Sequence, residues 1–196
     1  MSFNLDRDDS FVTLLSENKL QFLTNRLIET KNVPGDIVEA GIYQGGSLAI
    51  IVMNSQRWNK QVCGYDTFEG LPEVTAIDVH VKGEFCYNQL DTLKRKLPSV
   101  HFTKGYYPRS DHERTSKVSF AHLDMDLYEP TLQALNHLDG FLSQDAIVVL
   151  DDYKWQNCPG IEKAIVEFLA SKPGRYKHKA GNDNQYALRR LDHEPD

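Results

Sequence analysis

The chain has 196 residues, of which 40% are hydrophobic and 26% charged, and its formal net charge at pH 7 is −6. This length suffices for one domain with a buried core, and this composition is typical of a soluble globular protein. The acidic balance argues against non-specific binding to nucleic acid or to anionic membranes, and no apolar run approaches the ~20 residues of a membrane span.

The N-terminus and the cysteines both favour a cytoplasmic location. The opening residues, MSFNLDRDDS, are polar and acidic, unlike a secretory signal. Cys63, Cys86 and Cys158 form neither a CxxC pair nor a zinc-binding spacing with histidine, which indicates reduced, packed thiols. We expect a single domain over 1–196. The sequence leaves open whether it forms a homo-oligomer or belongs to a longer polypeptide.

Helix-like and strand-like segments alternate along the first half of the chain. Apolar residues at helical spacing predict an N-terminal helical segment at about 10–31, with Ser10 as its N-cap. The segments predicted after it are a strand at 36–41, a helix at 47–55, a strand at 61–66, a long loop at 67–83 and a helix at 84–97.

The second half continues this alternation and ends differently. The segments predicted there are strands at 100–103, 118–124 and 146–150, helices at 129–141 and 159–171, and two final strands at 176–180 and 185–190. Alternating strands and helices imply a parallel sheet covered by helices on both faces. The final pair is expected to form an antiparallel hairpin. By analogy of fold alone, this α/β outline resembles that of a Rossmann-like class I methyltransferase.

A glycine turn follows the first predicted strand, in the stretch VEAGIYQGGS at 38–47. Glycines at 41, 45 and 46 permit a tight turn and close approach of a ligand to the backbone. The spacing E-x-G-x-x-x-G-x-S differs from the dinucleotide form GxGxxG and is the looser form of S-adenosylmethionine (SAM) enzymes. SAM carries two cationic groups, for which Glu39 is suited. A plain strand-to-helix turn is the alternative interpretation.

Asp66 ends the second predicted strand, where a carboxylate can accept hydrogen bonds from both ribose hydroxyls of a nucleoside. Phe68 is placed to flank an adenine ring. The predicted cofactor-binding residues are Glu39, Gly41, Tyr43, Gly45, Gly46, Ser47, Asp66, Thr67, Phe68, Gly105 and Tyr106.

Four aspartates follow two neighbouring predicted strands. Asp124 and Asp126 follow the fourth strand, and Asp151 and Asp152 follow the fifth. Adjacent strands lie about 5 Å apart, so these carboxylates would repel one another unless a cation binds. Oxygen ligands favour Mg²⁺, with Mn²⁺ or Ca²⁺ as alternatives. A structural role is also open, with Asp152 capping the next turn and Asp126 capping the next helix or binding substrate.

Four segments carry a family resemblance: VPGDIVEAGIYQGGS, YDTFEGLP, HLDMDLYEPT and VVLDDYKWQNCPGIEKAIVEF. Over roughly 10–190 the chain resembles the macrocin O-methyltransferase family, whose members methylate sugar hydroxyls of macrolides and related glycosides with SAM and magnesium. The resemblance implies a small-molecule or glycan acceptor with vicinal hydroxyls. It also implies that Asp124, Asp151 and Asp152 hold the metal, as in catechol O-methyltransferase.

Roles for the remaining residues follow from the same resemblance. Asp124 is predicted to be the catalytic base, with His80, His101, His122 and Lys154 as open alternatives. The predicted substrate-binding residues are Asp126, Tyr128, Tyr153 and Lys154. The chain departs from the family pattern at 105–109 and in the loop at 73–88, so these stretches are expected to shape the acceptor pocket.

Three alternatives remain. The first is a SAM- or nucleoside-binding module without catalysis, and the second is an O-methyltransferase acting on a catechol-like diol. The third, an NAD-dependent epimerase or reductase, is disfavoured because both the GxGxxG turn and the Tyr-x-x-x-Lys pair are missing.

Overall fold

The computed structural model describes residues 11–181 and 183–191. The strands in this part of the chain are β1 (Asp36–Ala40), β2 (Val62–Asp66), β3 (Val100–Lys104), β4 (Val118–Leu123), β5 (Leu142–Leu150), β6 (Tyr176–Ala180) and β7 (Tyr186–Arg190). They form one sheet in the order β3-β2-β1-β4-β5-β7-β6. The first five strands are parallel, whereas β7 runs antiparallel to both β5 and β6. The predicted parallel sheet with a C-terminal hairpin is therefore confirmed.

Helices cover both faces of the sheet. They are α1 (Glu17–Glu29), α2 (Gly46–Ser55), α3 (Leu90–Lys96), α4 (Tyr128–Asp139) and α5 (Pro159–Ala170), with a 3₁₀ turn at Arg109–Asp111. Successive strand residues point to opposite faces, so Ile37 packs in the core layer of α1 and α2, and Val38 in that of α4 and α5. Within the described ranges, no helix combines the length and apolarity needed to cross a membrane.

The N-terminal helix begins later than predicted. Its N-cap is Ser16, whose side-chain oxygen accepts a hydrogen bond from Lys19 N at 3.2 Å. Residues 11–15 are not helical, because Val12 pairs with Gly45 of the glycine turn as an isolated bridge. The predicted cap, Ser10, lies outside the described residues.

The helix predicted at 84–97 is also shorter and begins at Leu90. Phe85 adopts a left-handed backbone conformation, with φ at +57°, which an α-helix does not allow. The stretch before α3 folds back on the preceding loop instead, where Leu71 N donates to Glu84 O at 2.8 Å and Gly83 N donates to Leu71 O at 2.9 Å. The segment from 67 to 89 is therefore one long ordered loop.

The order of the strands reverses at β1, which lies between β2 and β4. At this edge the backbone N–H groups of Gly41, Asp124 and Asp151 each donate to the neighbouring strand at 3.0 Å. These bonds continue the parallel pairing past the ends of the strands and hold the three residues side by side. In open α/β sheets, ligands bind at such a point of reversal.

Candidate functional site

A cavity of about 520 Å³ opens at the carboxyl edge of the sheet. This volume lies within the range of roughly 300–1,000 Å³ that is typical of small-molecule sites. The predicted site residues that line it are Gly41, Tyr43, Gly46, Ser47, Asp66, Thr67, Gly105, Tyr106, Asp124, Asp126, Asp151 and Asp152. The structure thus brings together residues from the ends of five strands.

The glycine turn approaches the end of β4 very closely. Gly41 has φ at +85°, and a Cβ atom there would lie 1.8 Å from the carbonyl oxygen of Asp124. Only glycine fits this position. Downstream in the turn, Ile42 N and Tyr43 N donate to Asp66 Oδ2 at 2.8 and 2.9 Å. The turn is therefore held between the ends of β4 and β2.

Asp66 has a structural role that the sequence did not indicate. Besides the two bonds at Oδ2, its Oδ1 accepts a hydrogen bond from Phe68 N at 2.7 Å. A carboxylate offers about four lone-pair sites, so capacity remains for a ligand hydroxyl. Ribose binding by Asp66 stays a prediction, and the same carboxylate fixes the glycine turn.

Three predicted cofactor-binding residues do not line the cavity. Glu39 is fully buried, with Oε1 2.7 Å from His122 Nδ1, and its Oε2 has no hydrogen-bond partner among the described residues. Gly45 forms the N-cap of α2 behind the turn. Phe68 is 1% exposed and packs in the hydrophobic core, so the structure does not support contact between its ring and an adenine. The aromatic residues at the cavity are Tyr43, Tyr65, Phe85, Tyr106, Tyr107 and Trp155.

Carboxylates converge where β4 and β5 end. One oxygen from each of Asp124, Asp126 and Asp152 lies within 4.8 Å of the other two. Burial raises the pKa values of Asp124 and Asp126 well above their ordinary range, and the neighbouring carboxylates raise them further. A bound divalent cation would relieve this repulsion, because it stabilises the ionised form of every carboxylate around it.

Lys19, on the first turn of α1, forms ion pairs with two of the neighbouring aspartates. Its Nζ lies 2.7 Å from Asp151 Oδ2 and 3.1 Å from Asp152 Oδ1, and the Lys19 and Asp151 side chains are 8% and 3% exposed. The predicted metal ligands were Asp124, Asp151 and Asp152, whereas the structure groups Asp126 with Asp124 and Asp152. Asp151 still presents a buried Oδ1 with no hydrogen-bond partner in the described chain.

The sequence contains a local signal for the burial of Lys19. Lys19, Leu23 and Leu27 follow one another at four-residue spacing, and all three are buried in α1. A lysine on the apolar face of an amphipathic helix indicates a buried carboxylate partner.

The structure does not show the helix cap considered for Asp126. The first N–H of α4, from Tyr128, donates instead to Asp78 Oδ1 at 2.9 Å. Asp78 belongs to the 67–89 loop, so this bond ties the loop to the helix. The carboxylate of Asp126 remains at the cavity, and its backbone is left-handed, with φ at +61°.

Three of the predicted substrate-binding residues lie outside the cavity lining. The hydroxyl of Tyr128 donates to Glu167 at 2.7 Å, the ring of Tyr153 packs 4.3 Å from that of Tyr186, and exposed Lys154 pairs with a carboxylate of α5. The other residues that line the cavity include Leu71, Pro72, His80, Phe85 and Trp155. The 67–89 loop therefore lines part of the cavity, and a role of its 73–88 stretch in shaping an acceptor pocket stays a prediction.

The alternative bases are spread over different environments. His80 lines the cavity, whereas His122 is buried against Glu39 and His101 is exposed on β3.

The sheet order, the antiparallel β7 and the ligand-sized cavity at the strand reversal define a Rossmann-like class I methyltransferase fold. A family model described as macrocin-O-methyltransferase (TylF) matches residues 4–173, and the chain belongs to this family. Among solved structures, the O-methyltransferase NovP is similar with a TM-score of 0.80 at 22% identity, covering 91% of this chain and 82% of that one. The calicheamicin methyltransferase CalS11 has a TM-score of 0.72 at 22% identity, with coverages of 89% and 80%.

Two curated relatives match in sequence. An 8-demethyl-8-(2,3-dimethoxy-alpha-L-rhamnosyl)-tetracenomycin-C 4'-O-methyltransferase from Streptomyces olivaceus is 30% identical over 76% of this chain. A demethyldecarbamoylnovobiocin O-methyltransferase from Streptomyces niveus is 26% identical over 71% of it. The matches span 64% and 60% of the length of these relatives.

Proposed function

We propose that this protein transfers a methyl group from SAM to a hydroxyl of a sugar or glycoside, with a divalent metal ion as cofactor. The observation that carries the proposal is one cavity that combines the glycine turn with the carboxylates of Asp124, Asp126, Asp151 and Asp152. The S. olivaceus relative is named for methylation of a rhamnosyl group, which supports a sugar as acceptor.

The methyl donor would bind against the turn from Gly41 to Ser47, where glycines leave the backbone uncovered by side chains. Asp66 holds this turn in place through its bonds to Ile42 and Tyr43, and it has lone-pair capacity for a ribose hydroxyl. The acidic lining of the cavity is compatible with the positive charge of the donor's sulfonium group.

On the metal side, the oxygen-only ligand set suits Mg²⁺ or Mn²⁺. Asp124 and Asp152 belong both to the set predicted from the sequence and to the set grouped by the structure. Asp151 or Asp126 completes the set. A bound ion would supply Lewis-acid activation of an acceptor hydroxyl.

The other roles in the proposed reaction belong to residues of the protein. Asp124 is the residue that we assign to accept the proton of the reacting hydroxyl, and Asp126 is placed to hydrogen-bond a neighbouring hydroxyl. Trp155 and the 67–89 loop form a wall that excludes water. Holding the acceptor oxygen in line with the methyl group removes much of the entropic barrier of a bimolecular step.

The experiment that tests this function is a screen of sugars, glycosides and catechols with SAM and Mg²⁺, read by mass spectrometry. A mass gain of one methyl group on a glycoside, abolished by a chelator, is the expected result. Methylation of catechols alone would favour the diol alternative. SAM binding in calorimetry without turnover on any acceptor would favour a non-catalytic module.

Replacement of Lys19 by methionine is expected to make folding more dependent on a divalent ion. Without the ammonium group, Asp151 and Asp152 lose a cation at 2.7 and 3.1 Å, so their repulsion increases. We expect a lower melting temperature for the metal-free variant and a larger rise on addition of Mn²⁺ than in the wild type. Lys163→Met, which removes an exposed lysine of α5, is the matched control. If Mn²⁺ raised the melting temperatures of Lys19→Met and of the wild type equally, Lys19 would not be compensating the charge of the aspartates.

A further inference from the structure

A second group of potential ligands adjoins the carboxylate cluster. Cys158 Sγ lies 3.5 Å from His80 Nε2 and 3.9 Å from Asp126 Oδ1. One ligand atom from each of the three residues lies within 4.8 Å of the others. They come from three elements: the 67–89 loop, the N-cap of α5 and the end of β4. The sequence did not reveal this group, because its members are far apart in the chain.

His80 is held in the orientation that metal-binding histidines adopt. Its Nδ1 lies 2.8 Å from Glu84 Oε2, which also accepts a hydrogen bond from Val81 N at 3.0 Å. The ring of Phe85 packs edge-on against the imidazole at 5.3 Å. A carboxylate on Nδ1 fixes the tautomer that leaves the Nε2 lone pair free, and that atom faces the Cys158 sulfur.

We propose that His80, Asp126 and Cys158 form a binding site for Zn²⁺, a borderline-soft divalent cation. Nitrogen, oxygen and sulfur ligands are those that zinc takes, whereas magnesium takes oxygen alone. Three protein ligands leave one position of a tetrahedral ion for water. Asp152 is an alternative fourth ligand, because its Oδ2 lies 3.5 Å from the same sulfur.

The two ligand sets share Asp126. Zn²⁺ bound by His80, Asp126 and Cys158 would therefore compete for the Asp126 carboxylate with an ion bound by the aspartate cluster. The expected consequence is inhibition by Zn²⁺ that excess Mg²⁺ or Mn²⁺ relieves. This consequence rests on the proposed methyltransferase function, whereas the zinc site itself does not.

The test uses Co²⁺ as a spectroscopic substitute for zinc in the 196-residue chain. We expect a cobalt–thiolate charge-transfer band in the near ultraviolet, at one ion per chain, which added Zn²⁺ removes. Cys158→Ser should abolish the band and weaken Zn²⁺ binding at least about tenfold. Cys86→Ser, which replaces an exposed thiol near His80 in sequence, is the matched control and should keep the band.

Two further variants separate binding from folding. His80→Gln alters a loop residue, and it should weaken Zn²⁺ binding while circular dichroism stays unchanged. Glu84→Gln should weaken binding by about tenfold but keep the thiolate band, because Glu84 acts only through His80. Absence of the band in the wild type, or its persistence in Cys158→Ser, would overturn the proposal. No methyl donor or acceptor is present in these measurements, so their failure is distinguishable from failure of the proposed function.

Discussion

The variant Asp152→Asn is expected to lose methyl transfer, with kcat falling by about 10³-fold. Asp152 is grouped with Asp124 and Asp126 in the carboxylate cluster, and it also pairs with Lys19. Lewis-acid activation contributes several kcal/mol to such reactions, and each ~1.4 kcal/mol is a factor of ten in rate. Asparagine tolerates the left-handed backbone of this position, where φ is +59°, so the fold should survive.

Two measurements check this result. Mass spectrometry of the acceptor reports turnover, and electron paramagnetic resonance of Mn²⁺ reports metal binding. Asp145→Asn is a closely matched control, because Asp145 also has a left-handed backbone, with φ at +62°, but its side chain is 53% exposed and distant from the cluster in the fold. An Asp152→Asn protein that keeps both turnover and Mn²⁺ affinity would show that Asp152 is not a metal ligand.

The variant Gly41→Ala is expected to lower the free energy of unfolding by more than about 3 kcal/mol. A methyl group at this position would lie 1.8 Å from the carbonyl oxygen of Asp124, a backbone atom that cannot rotate away. Relief requires the end of β4 to move. That shift also displaces Asp124 from the carboxylate cluster, so metal binding should weaken with stability.

Gly83→Ala separates the clash from the cost of backbone strain. Gly83 has nearly the same φ, +86°, but nothing lies within 4 Å of its added Cβ. Strain alone costs about 1–2 kcal/mol for a non-glycine residue in this conformation. Chemical denaturation of both variants should therefore show Gly41→Ala as clearly the less stable. Equal losses would show that the strand ends are not packed as closely as the structure indicates.

The sheet was predictable because its signals are local. The apolar run before Gly41 and the runs that end at Asp66, Asp124 and Asp151 are each long enough to be strands, and the carboxyl ends of parallel strands share one edge. That rule brought the four aspartates and the glycine turn together without any coordinates. The first residues of two helices were less predictable. α1 begins only at Glu17, because Val12 pairs with Gly45 in a β-bridge, and α3 begins late because the 67–89 loop folds back on itself.

The roles of single residues at the site depended on contacts between distant parts of the chain. The sequence by itself determined the fold class, the sheet edge at which the cavity opens and the grouping of aspartates there, since spacing and strand ends suffice for these. Only the tertiary structure paired Lys19 with Asp151, buried Phe68 in the core and placed His80 against Cys158. The physical reason is that periodicity in the sequence predicts a helix in α1 but not which distant residues α1 and the long loop contact. They are positioned by buried charges and hydrogen bonds to partners far away in the sequence.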